Sequence, residues 1–432
     1  MKDVKVVIGA NFGDEGKGLM TDYFADDAGK KKMTCLVVCS NGGAQRGHTV
    51  KVRADKSKGN VGEVRHVFHH FGSGTFAGAD TYLPHFFILN PIVFMNEYRE
   101  LTRQIGRASG GRLDCMPKVY IHPECFVSTP YDMILNQILE ESRGNARHGS
   151  CGMGIWETLV RQGKSFAEMA GMSDDEIIDY LRDDCRTYMW KRLKEKGVSE
   201  IRNEWNEILD DFGLILNYID DFRRMQEICK PADVEIFDEY DRVIFENGQG
   251  LLLDRCRREY GHNTTPSNTG LRNPAALLRE FDKWKNGSYV NVQAGVAAVE
   301  GEMVDVEVCY VTRTYLTRHG AGRFDEECDK AEINPDMVDL TNIPNPHQGT
   351  MRYGKLDGGA VERRIGEDFD SERLPCMYEA RRTLAVTHVN EFGHIIIDQA
   401  DYLSDGEDRE SVIDGTYYQC HNKTNFIYGE AV

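Results

Sequence analysis

Val4-Lys5-Val6-Val7-Ile8-Gly9 runs without a break into Ala10-Asn11-Phe12-Gly13-Asp14-Glu15-Gly16-Lys17-Gly18, an apolar β-branched run that ends in a glycine-rich, charged turn. That order predicts a buried strand followed by a phosphate-binding loop. Glycines let main-chain N–H groups approach a polyphosphate, Lys17 supplies a cation, and a helix opening over Leu19 to Phe24 presents its positive end to the anion. The loop departs from the standard P-loop in two places: Asn11 stands where the first glycine belongs, and Gly18 replaces the hydroxyl residue that holds Mg²⁺. Asp14 is the local candidate for the missing metal ligand.

A second strand, Cys35-Leu36-Val37-Val38-Cys39, opens into Ser40-Asn41-Gly42-Gly43-Ala44-Gln45-Arg46-Gly47-His48-Thr49-Val50. Two strand-to-glycine loops in one parallel sheet face one cleft, because ligands sit at the carboxyl ends of such strands. Asp14 can then take a proton and His48 can give one. Taken alone, each has a plainer reading, as a turn aspartate bonded to its own backbone and as a hydrogen-bonded structural histidine.

Elsewhere the chain reads as α/β, with a mostly parallel central sheet flanked by helices. Phe86 to Leu89, Val119 to Ile121, Arg242 to Phe245 and segments within 286–318 and 380–400, including His394 to Ile397, are further strand candidates. Between about 155 and 235 the character turns helical, as an insertion in a single domain spanning 1–432. Ser173 with Glu176 forms a capping box ahead of Ile177, Ile178 and Leu181. One helix is expected over Ile201 to Tyr218, with Ile201, Trp205, Ile208, Leu209, Phe212, Ile215 and Leu216 on one stripe. Asp401 to Asp408 is expected to be a surface loop. His66, His69 and His70 read as a strand end near the cleft entrance, since no suitably spaced cysteine or carboxylate completes a metal site.

The 432 residues carry 52 basic and 70 acidic side chains, and the formal charge of −18 argues against nucleic-acid or membrane-surface partners. Twelve cysteines without a CxxC pair, and a first strand beginning at the N-terminus, fit a reducing cytoplasm. No apolar run reaches the length of a membrane span.

With these motifs in place the chain resembles the adenylosuccinate synthetases, whose leading signatures are GDEGKG and a GGxNAGHTV-like loop. Phe245 to Asp254 is similar to that family's FEGAQGxLLD, Thr264 to Thr269 to its TSSNT, Thr312 to Phe324 to its KAYxTRVGxGPF, and Arg352 to Asp357 to its RxGWLD. The resemblance implies a two-step ligation at the six-position of a purine nucleotide. A nucleoside triphosphate phosphorylates O6, and L-aspartate displaces the phosphate. It implies Asp14 and His48 as catalytic residues, Mg²⁺ held by Asp14 and Gly47, and the triphosphate held by Gly16, Lys17, Gly18, Thr49 and Arg352. The purine nucleotide would meet Asn11, Gln45, Ser150, Cys151, Gln249, Thr265 and His319. It further implies a homodimer whose partner supplies an arginine to the nucleotide phosphate, for which Arg161 is the candidate.

The departures fall on specificity. His148 to Ile155 stands where the family has GTTGRGIGP, with Met153 in place of the arginine; Cys151, in this ligand loop, is the cysteine whose reactivity matters. Gln45 replaces an asparagine, and in the amino-donor loop His347-Gln348-Gly349-Thr350 the last residue falls where an arginine is expected. Asn390 takes the place of an aspartate that pairs with guanine, and its amide edge suits adenine, so the donor is GTP or ATP. Cys420 to Thr424 stands at the family's terminal STGPxR. Inosinate is the leading substrate. The alternative is deoxyguanylate or guanylate, as in viral relatives, although those often lack the counterpart of Asp14. A nucleotide-binding regulatory protein is the rival from another class, opposed by the survival of Asp14, Lys17 and His48.

Overall fold

The computed structural model describes residues 1–53, 62–109, 113–287, 303–337, 349–391 and 400–415. Ten strands form one sheet: β1 (Asp3–Gly9), β2 (Cys35–Cys39), β3 (Asp80–Leu83), β4 (Val119–Ile121), β5 (Lys230–Pro231), β6 (Arg242–Gly250), β7 (Val304–Arg313), β8 (Tyr378–Thr387), β9 (Tyr402–Ser404) and β10 (Val412–Asp414). Their order is β5-β4-β3-β2-β6-β1-β7-β8-β9-β10, and every pairing is parallel except β9 with β10 at one edge. This is the expected mostly parallel α/β sheet. Parallel strands are covered on both faces, which is why β1 and β2 read as continuous apolar runs. Val4, Val6 and Ile8 pack on one face of β1, and Val7 packs on the other with Leu19, Met20 and Phe24 of helix α1 (Lys17–Lys30).

The strand order decides where the site lies. β6 sits between β2 and β1, so the turns leaving all three at their carboxyl ends are neighbours. Gly13 (φ 119°) is required there, since a Cβ on it would stand 2.9 Å from the Gln249 Cα.

Helices α2 (Pro91–Ala108) and α3 (Pro130–Ser142) begin with proline behind the capping residues Asn90 and Thr129. Between β4 and β5 the chain is mainly helical: α4 (Ile155–Arg161), α5 (Phe166–Ala170), α6 (Asp174–Asp179), a π-helical segment Tyr180–Cys185, α7 (Arg186–Glu195), α8 (Asn203–Asp210) and α9 (Gly213–Ile228). Ser173 and Glu176 form the expected capping box.

Two expectations need correction. Ile201 to Tyr218 is not one helix: Asp211 turns extended (ψ 109°) and its Oδ1 accepts the Gly213 N–H at 2.8 Å, which ends α8 and starts α9. The stripe divides accordingly, with Trp205, Leu209 and Ile215 buried while Phe212 is 52% exposed. Asp401 to Asp408 is not a surface loop either. It contains β9, the Asp401 Oδ2 accepts the Leu384 N–H at 2.8 Å, and buried Asp408 accepts from the Arg53 Nε at 2.5 Å. His394 to Ile397 lies outside the described residues.

Candidate active site

The loop after β1 is held by its own buried groups. Glu15 Oε1 accepts the N–H groups of Gly13 (2.7 Å) and Asn11 (3.2 Å), and Lys17 Nζ donates to the Gly13 carbonyl at 2.5 Å, with Glu15 at 3.8 Å. Burial raises the Glu15 pKa and lowers that of Lys17, while their mutual attraction opposes both shifts. The floor comes from other strands. Thr387 at the end of β8 donates to the Glu15 carbonyl at 2.8 Å, Arg313 donates to the Asp14 carbonyl, and Arg364 donates to the Ala10 carbonyl at 2.7 Å. Gly16, Lys17 and Gly18 therefore open α1 beneath a loop fixed on several sides, with Thr49 alongside: a Cβ on Gly18 would stand 3.0 Å from the Thr49 carbonyl.

The loop after β2 carries a buried cluster. Glu246 of β6 accepts from His48 Nδ1 at 2.7 Å, from Arg46 Nη2 at 2.8 Å, from the Ser73 N–H at 3.1 Å and from the Ser73 hydroxyl. Burial alone would raise the Glu246 carboxyl, but His48, Arg46 and the Ser73 donors hold it down to about 2. Burial pushes the His48 imidazole down to about 4. A neutral ring beside an ionised carboxylate places its proton on Nδ1 and leaves Nε2 as the acceptor.

Asp14, Gly47, His48, Gln45, Gln249, His319, Ser150, Cys151 and Thr265 all line one cavity of about 880 Å³, within the roughly 300–1,000 Å³ common for small-molecule sites. His319 Nε2 lies 3.7 Å from Asp14 Oδ2. Both amide atoms of Gln45, Gln249 Oε1 and His319 Nδ1 are buried without a hydrogen-bond partner among the described residues, the signature of a wall that awaits a polar ligand. Gln249 holds a left-handed backbone (φ 58°), strain of the kind that collects at ligand sites.

Other expected residues lie elsewhere. Asn11 does not line the cavity: its Nδ2 donates to the Thr312 hydroxyl at 2.9 Å and its Oδ1 accepts from Arg364 at 2.5 Å. Arg352 is held by Glu327 and by the Gly322 carbonyl at 2.9 Å. Asn390 is exposed, three residues beyond Thr387 and so close in sequence to the floor of the phosphate loop. Gly349 and Thr350 are exposed, and His347, Gln348 and Cys420 to Thr424 fall outside the described residues. Arg161 is not free for a partner subunit, because it makes a two-point ion pair with buried Asp132 (2.9 and 2.7 Å) and donates to the Tyr180 hydroxyl. Cys151 is not an activated thiol, since burial raises it to about 11.

The adenylosuccinate synthetase family model matches residues 6–363. The chain belongs to that family. It is 27% identical over 343 residues to the adenylosuccinate synthetase of Synechocystis sp., covering 77% of this chain and 65% of that protein. It is 26% identical over 393 residues to that of Limosilactobacillus fermentum, covering 89% and 75%. The chain thus spans slightly less than two thirds of the length of the cyanobacterial relative. Among solved structures, fully ligated adenylosuccinate synthetase from Plasmodium falciparum matches with a TM-score of 0.59 and 17% identity, over 90% of this chain and 77% of that one. Succinoaminodeoxyadenylate synthetase from cyanophage S-2L, bound to dGMP and to dATP as an energy donor, matches with a TM-score of 0.58 and 13% identity, over 96% of each chain. Both likenesses establish the fold.

Against the adenylosuccinate synthetase pattern, sequence reading missed Glu15, Arg46, Ser73 and Glu246, together with the anchors Arg313 and Arg364. A signal was present for two of them. Arg46 stands where GGxNAGHTV has alanine, and Glu246 is the glutamate of the FEGAQG-like block; an arginine added beside a reacting histidine calls for a nearby carboxylate. Arg364 lies far along the chain and is joined to the loop only by the fold. Among the described residues no group of three or more His, Cys, Asp or Glu side chains could hold a metal. The histidines at 66–70 instead surround Glu97, which accepts the N–H groups of His69 (2.9 Å) and His70 (2.7 Å). Among the described residues no helix is long and apolar enough to cross a membrane.

Proposed function

We propose that the chain joins L-aspartate to the six-position of a purine nucleoside monophosphate, at the expense of a nucleoside triphosphate. Asp14 takes the N1 proton, O6 attacks the γ-phosphorus in line, and nucleoside diphosphate leaves. The aspartate amine then forms the bond to C6 as phosphate departs, giving a succinylamino-purine nucleotide. The observation that carries this reading is the meeting of Asp14, His48, Gln249 and His319 on one cavity, with Glu246 behind the His48 ring. The negative phosphoryl group draws a proton onto His48 Nε2, which then donates to it, while the Glu246 carboxylate behind Nδ1 supports the imidazolium. Lys17 and the amides of Gly16 and Gly18, with Thr49, hold the donor's phosphates. Gln249, Gln45 and His319 read the purine nucleotide, and Ser150, Cys151 and Thr265 its phosphate side. Arg352 orders the Gly320–Gly322 turn rather than meeting the triphosphate. Asp14 and the Gly47 carbonyl are hard oxygen donors suited to Mg²⁺, an ion that is often bound through one carboxylate plus substrate phosphates. Bound there, Mg²⁺ would neutralise charge on the transferring phosphate. Residues 1–432 act as one catalytic unit, with 155–235 as its helical insertion, in a cytoplasmic homodimer.

Inosinate is the first substrate reading. Deoxyguanylate with an adenine-based donor is the second, favoured by the cyanophage enzyme's match over 96% of both chains and by the amide edge of Asn390. Incubating the protein with Mg²⁺ and L-aspartate, crossing inosinate, guanylate and deoxyguanylate with ATP and GTP, decides between them by product mass and released phosphate. Absence of a succinylated nucleotide from every pair, with nucleotide still bound, would overturn the ligase reading in favour of the regulatory one.

A further inference from the structure

The turn between β9 and β10 carries two neighbouring side chains of opposite charge, Asp408 and Arg409, both buried, and each is tied to a different element. Arg409 donates from Nε to Asp22 at 2.7 Å and from Nη1 to Asp26 at 2.8 Å, two carboxylates about one turn apart on α1. Asp408 accepts from the Arg53 Nε at 2.5 Å, at the end of the strand His48–Arg53, which pairs antiparallel with Glu63–Phe68. The Asp408 backbone also bridges to Lys51, whose Nζ donates to Glu407 at 3.2 Å. The turn is closed on itself: the Ser404 and Ser411 hydroxyls lie 2.8 Å apart, and Ser411 donates to the Asp408 carbonyl at 2.6 Å. Charged side chains this deep are retained only when paired, and here each pair reaches out of the turn to a part of the site's frame.

Both tied elements enter the site at their other ends. α1 opens at the glycine turn around Lys17, and the strand opens at His48 and Thr49. Where they meet no side chain interlocks them: a Cβ on Gly18 would stand 3.0 Å from the Thr49 carbonyl and 3.1 Å from the His48 Cβ. A glycine face against backbone gives one close contact, about which helix and strand can still pivot. A second attachment, further along both elements, fixes the angle between them. The turn that supplies it is itself anchored, since β9 pairs with β8 beside Thr387, which supports the Glu15 carbonyl. We propose that Asp408 and Arg409 are positioning residues, a strut that fixes the strand carrying His48 against the helix behind the glycine loop and so sets where His48 stands over that loop. The inference rests on the ligase reading only for the reaction that His48 serves.

Hydrogen exchange of the full-length protein, read by peptide mass analysis beside steady-state turnover, tests this. The variants are Asp408→Asn and Arg53→Gln, which break one pair from either side, and Arg409→Lys, which keeps the charge and loses the two-point fork. Arg53 is exposed, so its replacement leaves the fold intact. Exchange over residues 48–53 and 63–68 is expected to quicken by up to about fivefold in each, the upper range for a pair with an exposed partner. Asp408→Asn with Arg53→Gln should add nothing to either alone, because both remove the same bond. Arg409→Lys carries the most weight, since among the described residues the ion pairs of Arg409 run to α1 and none to the strand. Turnover at saturating substrates should fall by roughly 10-fold, within the about 10²-fold that a 1 Å misplacement costs, with KM changed by less than about twofold. Unchanged exchange of the two strands in Arg409→Lys, an equal increase across the whole sheet, or a raised KM with unchanged kcat overturns the strut. Failure of the ligase reading looks different: the wild-type protein then gives no succinylated product from any nucleotide pair, and the exchange of the two strands still decides whether the strut exists.

Discussion

Two parts of the cavity wall are built differently. Around Asp14 the loops leave three adjacent central strands, and each group proposed to react has a buried neighbour: Glu246 behind His48, Glu15 beneath the glycine loop, Gln249 against Gly13. The other part of the lining comes from the loop after α3, from α7 and from the turn around His262, with part-exposed side chains and ion pairs reaching solvent. A site that performs proton and phosphoryl transfer gains from donors fixed before the substrate arrives. A site that sets the substrate's identity is better placed where side chains can change without disturbing a sheet. Of the departures from the family pattern, those of the 148–155 loop, at Cys151 and Met153, fall at the second kind of site, whereas Gln45 and Arg46 fall at the first.

The largest effect is expected at the first. Asp14→Ala should lower the rate of succinyl-nucleotide formation by roughly 10²- to 10⁴-fold, the range for a lost general base, with guanylate affinity little changed. A variant that turns over normally would remove Asp14 from the chemistry and with it the contrast between the two parts of the wall.

Next come the groups that fix the reacting end. Glu246→Ala leaves Arg46, 1% exposed, without its carboxylate. Breaking a buried pair from one side costs about 3–5 kcal/mol, to be read by denaturant unfolding. The same carboxylate gives a pH signature with a definite sign. Its folded pKa of about 2 lies below the ordinary 4.5. The stability it contributes is therefore fully present above about pH 4.5 and is lost as the pH falls towards 2. Glu246→Gln should flatten that part of the acid unfolding curve, and an unchanged curve would show that Glu246 is not ionised in the folded protein.

How much of this the sequence disclosed follows the same division. The strand-to-glycine order at Val4 to Gly18 and Cys35 to Val50 gave the sheet, its parallel sense and the facing of Asp14 and His48, because apolar runs and glycine turns are local signals. The break at Asp211 was invisible to periodicity, since the apolar spacing continues through it and only a side-chain-to-backbone bond ends the helix. Glu246, Arg364 and Thr387 could be joined to the loops only by the fold, each lying about 200 residues or more from its partner. Arg161 carried the opposite error: its distance from the 148–155 loop suggested a reach across subunits, and Asp132, supplied by a helix cap, holds it at home.

That pair gives a prediction of intermediate size. Arg161→Ala should destabilise the fold by about 3 kcal/mol, the lower end for a broken buried pair, because Asp132 still accepts the Thr129 N–H and hydroxyl, both at 2.8 Å. Its effect on nucleotide affinity should be the same in dilute and concentrated protein. A loss of affinity that appears only where subunits associate would return Arg161 to a partner's site.

The smallest expected effect is chemical and belongs to the 148–155 loop. Cys151 lies on the cavity wall, but burial holds its thiol near 11, so at pH 8 almost none of it is thiolate. Cys115, Cys256 and Cys376 are exposed. Brief treatment with iodoacetamide at pH 8, followed by peptide mass analysis, should label those three and leave Cys151 unmodified. If Cys151 is alkylated as fast as Cys256, and guanylate protects it, this part of the wall opens to solvent between ligands and is looser than the ion pairs of Glu140 and Glu157 require. If it stays unmodified with and without guanylate, the wall is closed before the ligand arrives, and its two parts differ in what holds them rather than in how firmly they are held.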